Sequence, residues 1–144
     1  MTLPSEEFVR HAKLKRVIDG DTLRLQIDQG FGGFLIHDVR LVGVNTPEVR
    51  GKESAAGGYV KSRVIEWMDD CTDILIHSKI FELGKFGRCL CDVWVNGRNL
   101  NRFLIDHGFG WRTDENGRLI EERAVWNLEG IPDGIKQQVR EAFA

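Results

Sequence analysis

The sequence predicts an α+β fold in which a five-stranded OB-fold β-barrel has helices packed on it. Three observations lead to this prediction: short runs in which apolar and polar residues alternate, Asp-Gly and Asn-Gly pairs that mark tight turns, and helical patterns that interrupt and follow the strands. The 144 residues suffice for one domain with a core. We divide the chain into an N-terminal arm (1–13), the barrel domain (14–112) and a divergent C-terminal helical extension packed on it (113–144).

The first two predicted strands form a hairpin. Residues 14–17 and 22–27 flank the turn Asp19-Gly20-Asp21, and apolar side chains in the second strand alternate with polar ones. This alternation is typical of a hairpin with one solvated face. The glycine-rich segment 28–33 lacks the lysine and the Ser or Thr of a phosphate-binding loop, so it is interpreted as a flexible hairpin turn.

A third strand is predicted from Phe34 to Val44. It should end at Asn45-Thr46-Pro47, because proline cannot donate a hydrogen bond to a strand ladder. Apolar side chains recur at helical spacing over residues 57–71, which predicts a helix that packs one face inward. Strands over residues 74–80 and 88–95 complete the set of five.

The later part of the chain is predicted to be helical. Asn99 can cap a helix that begins near Leu100, and Gly108 can end it. Two further helical patterns cover residues 122–128 and 135–143. Three of the four tryptophans lie in periodic apolar patterns and are predicted to belong to the core; the position of Trp111 is the least certain.

Composition limits the function classes. No apolar run is long enough to span a bilayer, and the first ten residues lack the apolar segment of a secretory signal, so we expect no membrane association and a cytoplasmic location. A net charge of −2 argues against a broad basic surface that coats nucleic acid, so phosphate binding must be local. Cys71, Cys89 and Cys91 lack the spacing of a zinc site and are predicted to be free thiols.

Five charged side chains suggest phosphodiester chemistry. Asp19 and Asp21 can direct oxygens at one hard cation, although Asp-Gly is also favoured in an ordinary hairpin turn. Arg40 and Arg88 offer fixed N–H donors that suit phosphate oxygens, and Glu48 at a strand end can take a proton from water. Together they supply the cation site, phosphate clamps and base of metal-assisted phosphodiester hydrolysis.

Three segments resemble the signature segments of the staphylococcal nuclease (thermonuclease-like) family: Val17 to Leu23, Arg40 to Glu48, and Gly84 to Arg88. Their order and approximate spacing match, and the resemblance extends from about Lys15 to Trp111 before it fades. The chain is similar to the short homologues of bacteria and phages that lack a signal sequence. The resemblance implies an OB-fold barrel with helices and a nuclease that uses calcium.

The resemblance implies a set of metal ligands. Asp21 would be a direct ligand, Asp19 would lie close by, and Thr46 would offer its backbone carbonyl. The best-known members carry a second aspartate where this chain has Asn45, which keeps an oxygen ligand but loses a negative charge. Because ligand charge tunes the affinity for a hard cation, weaker metal binding or another metal preference is expected.

The resemblance also implies catalytic roles. Arg40 and Arg88 would hold the scissile phosphate, and Glu48 would act as the general base. Lys85, in the same segment as Arg88, is expected to contact the substrate.

The functional expectation is therefore a metal-dependent endonuclease that hydrolyses DNA, RNA or both with little sequence specificity. Calcium is the expected cofactor, with magnesium or manganese as alternatives, and single-stranded or flexible nucleic acid is the expected partner of a monomeric protein. The alternative is a catalytically weak or inactive nucleic-acid-binding OB-fold module. Glu48 favours the enzyme, because simple binding does not need a base.

Overall fold

In the computed structural model, which describes residues 8–81 and 89–144, five long strands close into a barrel. In chain order, the elements are β1 (Phe8–Asp19), β2 (Thr22–Gly30), β3 (Gly33–Leu41), β4 (Val44–Asn45), α1 (Ser54–Trp67), β5 (Ile74–Phe81), β6 (Cys89–Val95), β7 (Arg98–Asn99), α2 (Leu100–Asp106), β8 (Trp111–Arg112) and α3 (Asp133–Phe143). Short 3₁₀ turns cover Gly51–Glu53 and Val125–Asn127.

The barrel closes through one parallel contact. β1 pairs antiparallel with both β2 and β5, β2 pairs with β3, and β5 pairs with β6. β3 and β6 then run parallel, with Arg40 opposite Leu90 and Leu41 opposite Cys91. The ring of strands and the helices packed on it confirm the predicted α+β OB-fold barrel.

Alternate residues of the strands fill the barrel. Leu23, Leu25 and Ile27 of β2 point inward and are buried, whereas their neighbours are exposed or half-buried, as the alternation predicts. The core extends to helix α1 through Val60 and Val64. Because α1 packs against β1, it lies close to the β1–β2 turn.

Two strand boundaries differ from the prediction. β1 begins at Phe8, not at Leu14, because residues 8–12 pair with β5 from Phe8 opposite Ser78 to Ala12 opposite Ile74. β3 stops at Leu41, because Gly43 has a φ of +83° and forms a turn before the short strand β4. The turn sends the chain across the end of the barrel toward β8.

The helices also differ in their limits. α1 begins at Ser54, three residues before the predicted start, and ends at Trp67, four residues before the predicted end. The predicted helix over 122–128 is a single 3₁₀ turn. The predicted cap and end of α2 are confirmed: the Asn99 side chain accepts a hydrogen bond from Arg102 N at 2.8 Å, and Gly108 adopts a φ of +69°.

The C-terminal residues are integrated into the same core. Leu128, Ile131 and Val139 are buried in it, and α3 packs against α1. The prediction of a core position was wrong for Trp126, which is 38% exposed, and Trp111, whose position was the least certain, is fully buried. Within the described residues, no helix is long and apolar enough to cross a membrane.

The buried side chain of Asn101 fixes the chain just before the candidate site. Its amide nitrogen donates to Val42 O at 2.7 Å and to Cys91 O at 3.0 Å, and its oxygen accepts from Val93 N at 3.0 Å. Since Val42 begins the turn after β3, Asn101 joins that turn to β6. The segment that follows, residues 44–48, therefore starts from a fixed point.

The two glycines of α1 allow a matched test of how this segment sits on the helix. A methyl group at Gly57 would overlap the carbonyl group of Glu48 and lie 2.6 Å from Val49 N, whereas one at Gly58 would meet nothing within 4 Å. We expect Gly57→Ala to lower the free energy of unfolding by about 1–3 kcal/mol. Gly58→Ala should raise it by up to about 1 kcal/mol, because alanine favours helix.

Urea unfolding of the two variants beside the unmodified protein measures both effects. Equal stability of the two variants would contradict the close packing of the helix against Glu48.

Candidate active site

The candidate site lies where the β1–β2 turn meets the end of β3. Arg40 is opposite Thr22 in the β2–β3 register, and Leu41 N donates to Asp21 O at 2.9 Å. These pairings bring Arg40 and the turn carboxylates Asp19 and Asp21 to one edge of the barrel. Arg40 is about 20 residues from these carboxylates in sequence, and the pairing of β2 with β3 brings them together.

Asp21 connects the turn to the segment after β4. Its carboxylate is buried, with Oδ2 accepting from Thr46 N at 3.1 Å and Oδ1 accepting from Thr22 Oγ1 at 3.1 Å. Arg40 Nη2 lies 3.8 Å from the same Oδ2 atom. A buried carboxylate needs such partners, because an unpaired one is costly to desolvate. Asp21 thus aligns Thr46 and Arg40 with the turn.

Three buried oxygen atoms near this junction lack a hydrogen-bond partner among the described residues: Asp19 Oδ1, Asn45 Oδ1 and Thr46 Oγ1. Buried polar atoms are normally satisfied, so a group of unpaired ones suggests a ligand. Oxygen atoms of carboxylate, amide and hydroxyl type suit a hard cation. The residues present therefore fit a divalent metal ion.

The candidate donors are not all carboxylates. Among residues 8–81 and 89–144, no three side chains of His, Cys, Asp and Glu are grouped so that they could hold a metal ion. A cation here would need amide, hydroxyl or backbone carbonyl oxygens in addition to the carboxylates of Asp19 and Asp21.

The electrostatic environment of Asp19 supports a local excess of negative charge. Burial raises the pKa of Asp19 above its ordinary value of 3.8, and the carboxylates of Asp21 and Glu48 raise it further. Lys61 and Arg40 act in the opposite direction but do not cancel the increase. The ionised form of Asp19 is therefore disfavoured in the folded protein, and a nearby cation would favour it.

Glu48 combines a fixed backbone with an accessible carboxylate. Its amide N donates to Glu53 Oε1 at 3.1 Å, while its side chain is 62% exposed. Glu48 Oε1 lies 3.7 Å from Arg123 Nη2. Because its backbone is fixed and its carboxylate is open to solvent, Glu48 can reach a water molecule. A general base requires such contact.

Sequence reasoning missed three residues at this site: Glu53, Trp111 and Arg123. Arg123 donates from Nη2 to Glu53 Oε1 at 2.7 Å and from Nε to Glu53 Oε2 at 3.2 Å, and its guanidinium lies 4.4 Å from the centre of the Trp111 ring. Arg123 Nη2 is also 3.5 Å from Thr46 O. No local pattern marks a contact between residues 70 positions apart, and Arg123 lies beyond Trp111, where the sequence analysis placed the end of the family resemblance.

The structure brings together five of the predicted site residues, which are Asp19, Asp21, Arg40, Thr46 and Glu48. Asn45 directly precedes Thr46, and its Oδ1 is buried without a partner among the described residues. Arg88 and Lys85 lie outside the described residues, so their roles stay predictions.

The raised pKa of Asp19 predicts a pH-dependent gain in stability when its charge is removed. Because the folded-state pKa lies above the unfolded value, ionised Asp19 lowers stability above the folded pKa, and this cost is lost below about pH 3.8. With EDTA present, Asp19→Asn should therefore be more stable than the unmodified protein at pH 7, and the difference should disappear as the pH falls below 3.8.

Thermal unfolding between pH 3 and pH 8 measures this, with Asp69→Asn in an exposed turn as the control. If Asp19→Asn were less stable than the unmodified protein at pH 7, ionised Asp19 would not lower the stability of the fold.

Comparison with known proteins bears on the whole arrangement. The family model described as Staphylococcal nuclease homologue matches residues 38–127, which is more than half of the chain. The match includes Arg40, Glu48, Glu53 and Arg123, whereas the Asp19–Asp21 turn precedes it. No curated protein matches the chain significantly. The closed barrel, the composition of the site and the extent of this match together place the chain in the family of staphylococcal nuclease homologues.

Proposed function

We propose that the protein is a metal-dependent endonuclease that hydrolyses phosphodiester bonds of DNA, RNA or both with little sequence specificity. The observation that carries the proposal is the convergence on one barrel edge of buried oxygen donors, an arginine and an exposed carboxylate. The family match supports the same class of chemistry, because a nuclease-type fold implies a nucleic-acid substrate. The reaction itself is assigned from the residues at this edge.

A divalent cation, most simply calcium, would be held by Asp21, the Thr46 carbonyl and Asn45, with Asp19 as a further donor. Magnesium and manganese are the alternatives, and they favour the same oxygen donors. When bound, such a cation neutralises negative charge on the phosphate and acts as a Lewis acid. Asn45 reduces the ligand charge, so calcium affinity should be lower than for an all-aspartate site.

The protein's own groups carry the remaining steps. Glu48 takes a proton from a water molecule that attacks phosphorus in line with the leaving oxygen. Arg40, together with Arg88 in the third segment, donates hydrogen bonds to the phosphate oxygens as their charge grows. The family resemblance implies that the 5′ P–O bond breaks and that 3′-phosphate ends remain. Lys85 would contact the substrate beside the reacting phosphate.

The charge distribution favours a local interaction with nucleic acid. A net charge of −2 provides little long-range attraction, so affinity must come from a few cations at the site. Single-stranded or flexible strands suit this arrangement, because their phosphates can approach a small site without distortion of a duplex.

We propose that the protein is a monomer in the cytoplasm.

A second candidate is a nucleic-acid-binding module without efficient turnover. Asn45 favours it, since loss of one ligand charge lowers metal affinity without removing Arg40. The accessible carboxylate of Glu48 favours the enzyme.

Loss of the base should abolish turnover while binding persists. With single-stranded DNA and with RNA, in calcium, magnesium, manganese or EDTA, we expect metal-dependent cleavage by the unmodified protein. Glu48→Gln should lower kcat by roughly a hundred- to ten-thousand-fold, the usual contribution of a general base. Glu115→Gln, in an exposed loop, should leave kcat unchanged.

Gel assays of cleavage and filter binding of the same substrates separate the two candidates. Substrate binding without cleavage in any of the metals would favour the binding module and remove the enzyme. Cleavage at an undiminished rate by Glu48→Gln would remove Glu48 as the base.

Restoring a carboxylate at residue 45 should tighten metal binding. We expect Asn45→Asp to lower the dissociation constant for calcium by roughly ten- to a hundredfold, because charge count sets the affinity of oxygen-ligand sites. Without metal, the added charge beside Asp19 and Asp21 should lower the melting temperature. Calorimetric titration with calcium chloride measures the first effect; an unchanged dissociation constant would mean that residue 45 is not a ligand.

A further inference from the structure

Arg123 is held so that only a small part of its guanidinium is available to other groups. Both carboxylate oxygens of Glu53 accept from it, and its guanidinium carbon lies over the Trp111 ring, 4.4 Å from the ring centre. Its side chain is 27% exposed and that of Glu53 is 11% exposed. A two-pronged ion pair packed on an aromatic ring in such surroundings has little conformational freedom.

The fixed guanidinium contacts the segment that carries the proposed base. Nη2 lies 3.5 Å from Thr46 O and 3.7 Å from Glu48 Oε1. Glu53 Oε1, which accepts from Arg123, also accepts from Glu48 N at 3.1 Å. The pair Arg123–Glu53 thus touches the carbonyl of Thr46 and both the backbone and the side chain of Glu48.

The contacted segment has no regular secondary structure. Thr46, Pro47 and Glu48 follow β4 and belong to no helix or strand. Among the described residues, their backbone is held by Asp21, which accepts from Thr46 N, and by the pair Arg123–Glu53. The pair Arg123–Glu53 therefore supplies the side-chain hydrogen bond at the Glu48 end, where the Glu48 carbonyl also packs against Gly57 of α1.

We propose that Arg123 is a positioning residue of the proposed nuclease reaction, which orients the Thr46 carbonyl and the Glu48 carboxylate through its ion pair with Glu53. The proposal rests on the proposed function for its catalytic consequence, but the positioning itself does not require metal or substrate. Arg123 lies in the C-terminal segment beyond the barrel, so this segment contributes to the site.

The position of the segment is tested first, without metal or substrate. Amide hydrogen exchange of Glu48 N–H should accelerate at least tenfold in Arg123→Ala, because Glu53 loses the partner that orients its carboxylate. Thr46 N–H, which is bound by Asp21, should accelerate less. Val139→Ala, which removes buried methyl groups from α3, is the control for a general loss of stability and should affect both amides equally. Unchanged protection of Glu48 N–H in Arg123→Ala would overturn the proposal.

The catalytic consequence is tested with single-stranded DNA and calcium. Arg123→Ala should lower kcat at least tenfold and weaken calcium binding several-fold, with KM changed less than twofold. Arg123→Lys, which keeps the charge but not the two-pronged contact, should recover part of the loss. Arg118→Ala removes an exposed cation of the same C-terminal segment and should leave kcat unchanged.

The two arms separate the proposals. If the unmodified protein cleaves nothing with any metal but Glu48 N–H loses protection in Arg123→Ala, the proposed function fails and the positioning stands. If the unmodified protein cleaves DNA and Arg123→Ala retains its kcat and calcium affinity, the positioning role is overturned and the proposed function stands.

Discussion

The hydrogen bond from Thr46 N to Asp21 Oδ2 is the contact on which the arrangement of the site depends. It joins the β1–β2 hairpin turn to the irregular segment beyond β4. Both residues are buried, and a buried carboxylate without hydrogen-bond donors would strongly destabilise the fold. The same carboxylate lies 3.8 Å from Arg40 at the end of β3. One buried acid therefore sets the relative positions of the proposed metal ligands and of Arg40, the arginine proposed to bind phosphate.

The charges and unpaired oxygens of the site destabilise the folded protein, and interactions elsewhere in the fold must offset this. Burial, and then the nearby carboxylates of Asp21 and Glu48, raise the pKa of Asp19, and the oxygens Asp19 Oδ1 and Asn45 Oδ1 are buried without partners in the described chain. A packed core of the barrel and helices supplies stability elsewhere, which allows such a cluster to persist. A cation at this position would turn the repulsion into attraction, and this is why the unpaired oxygens and the charge cluster point to the same ligand.

The sequence predicted those parts of the molecule that depend on neighbouring residues. Alternation in β2, the Asn99 cap of α2 and the turn at Asp19–Asp21 are each set within a few residues, and each was found. The start of β1 was missed because residues 8–12 are extended through pairing with β5, more than 60 positions away. Trp111 was uncertain for a related reason, since its burial comes from packing in the assembled core and not from a local apolar period.

The contrast between Arg40 and Arg123 shows where prediction from a motif ends. Arg40 belongs to a segment whose residues resemble a family signature, so its role could be inferred before its position was known. Arg123 reaches the same site from a segment without such a signature, through Glu53 at one side and Trp111 below it. Glu53 comes from a 3₁₀ turn, Trp111 from a two-residue strand and Arg123 from the C-terminal segment, so only the closed fold brings the three together. The chain beyond the barrel is therefore part of the structure that holds Glu48, although none of the three signature segments extends to it.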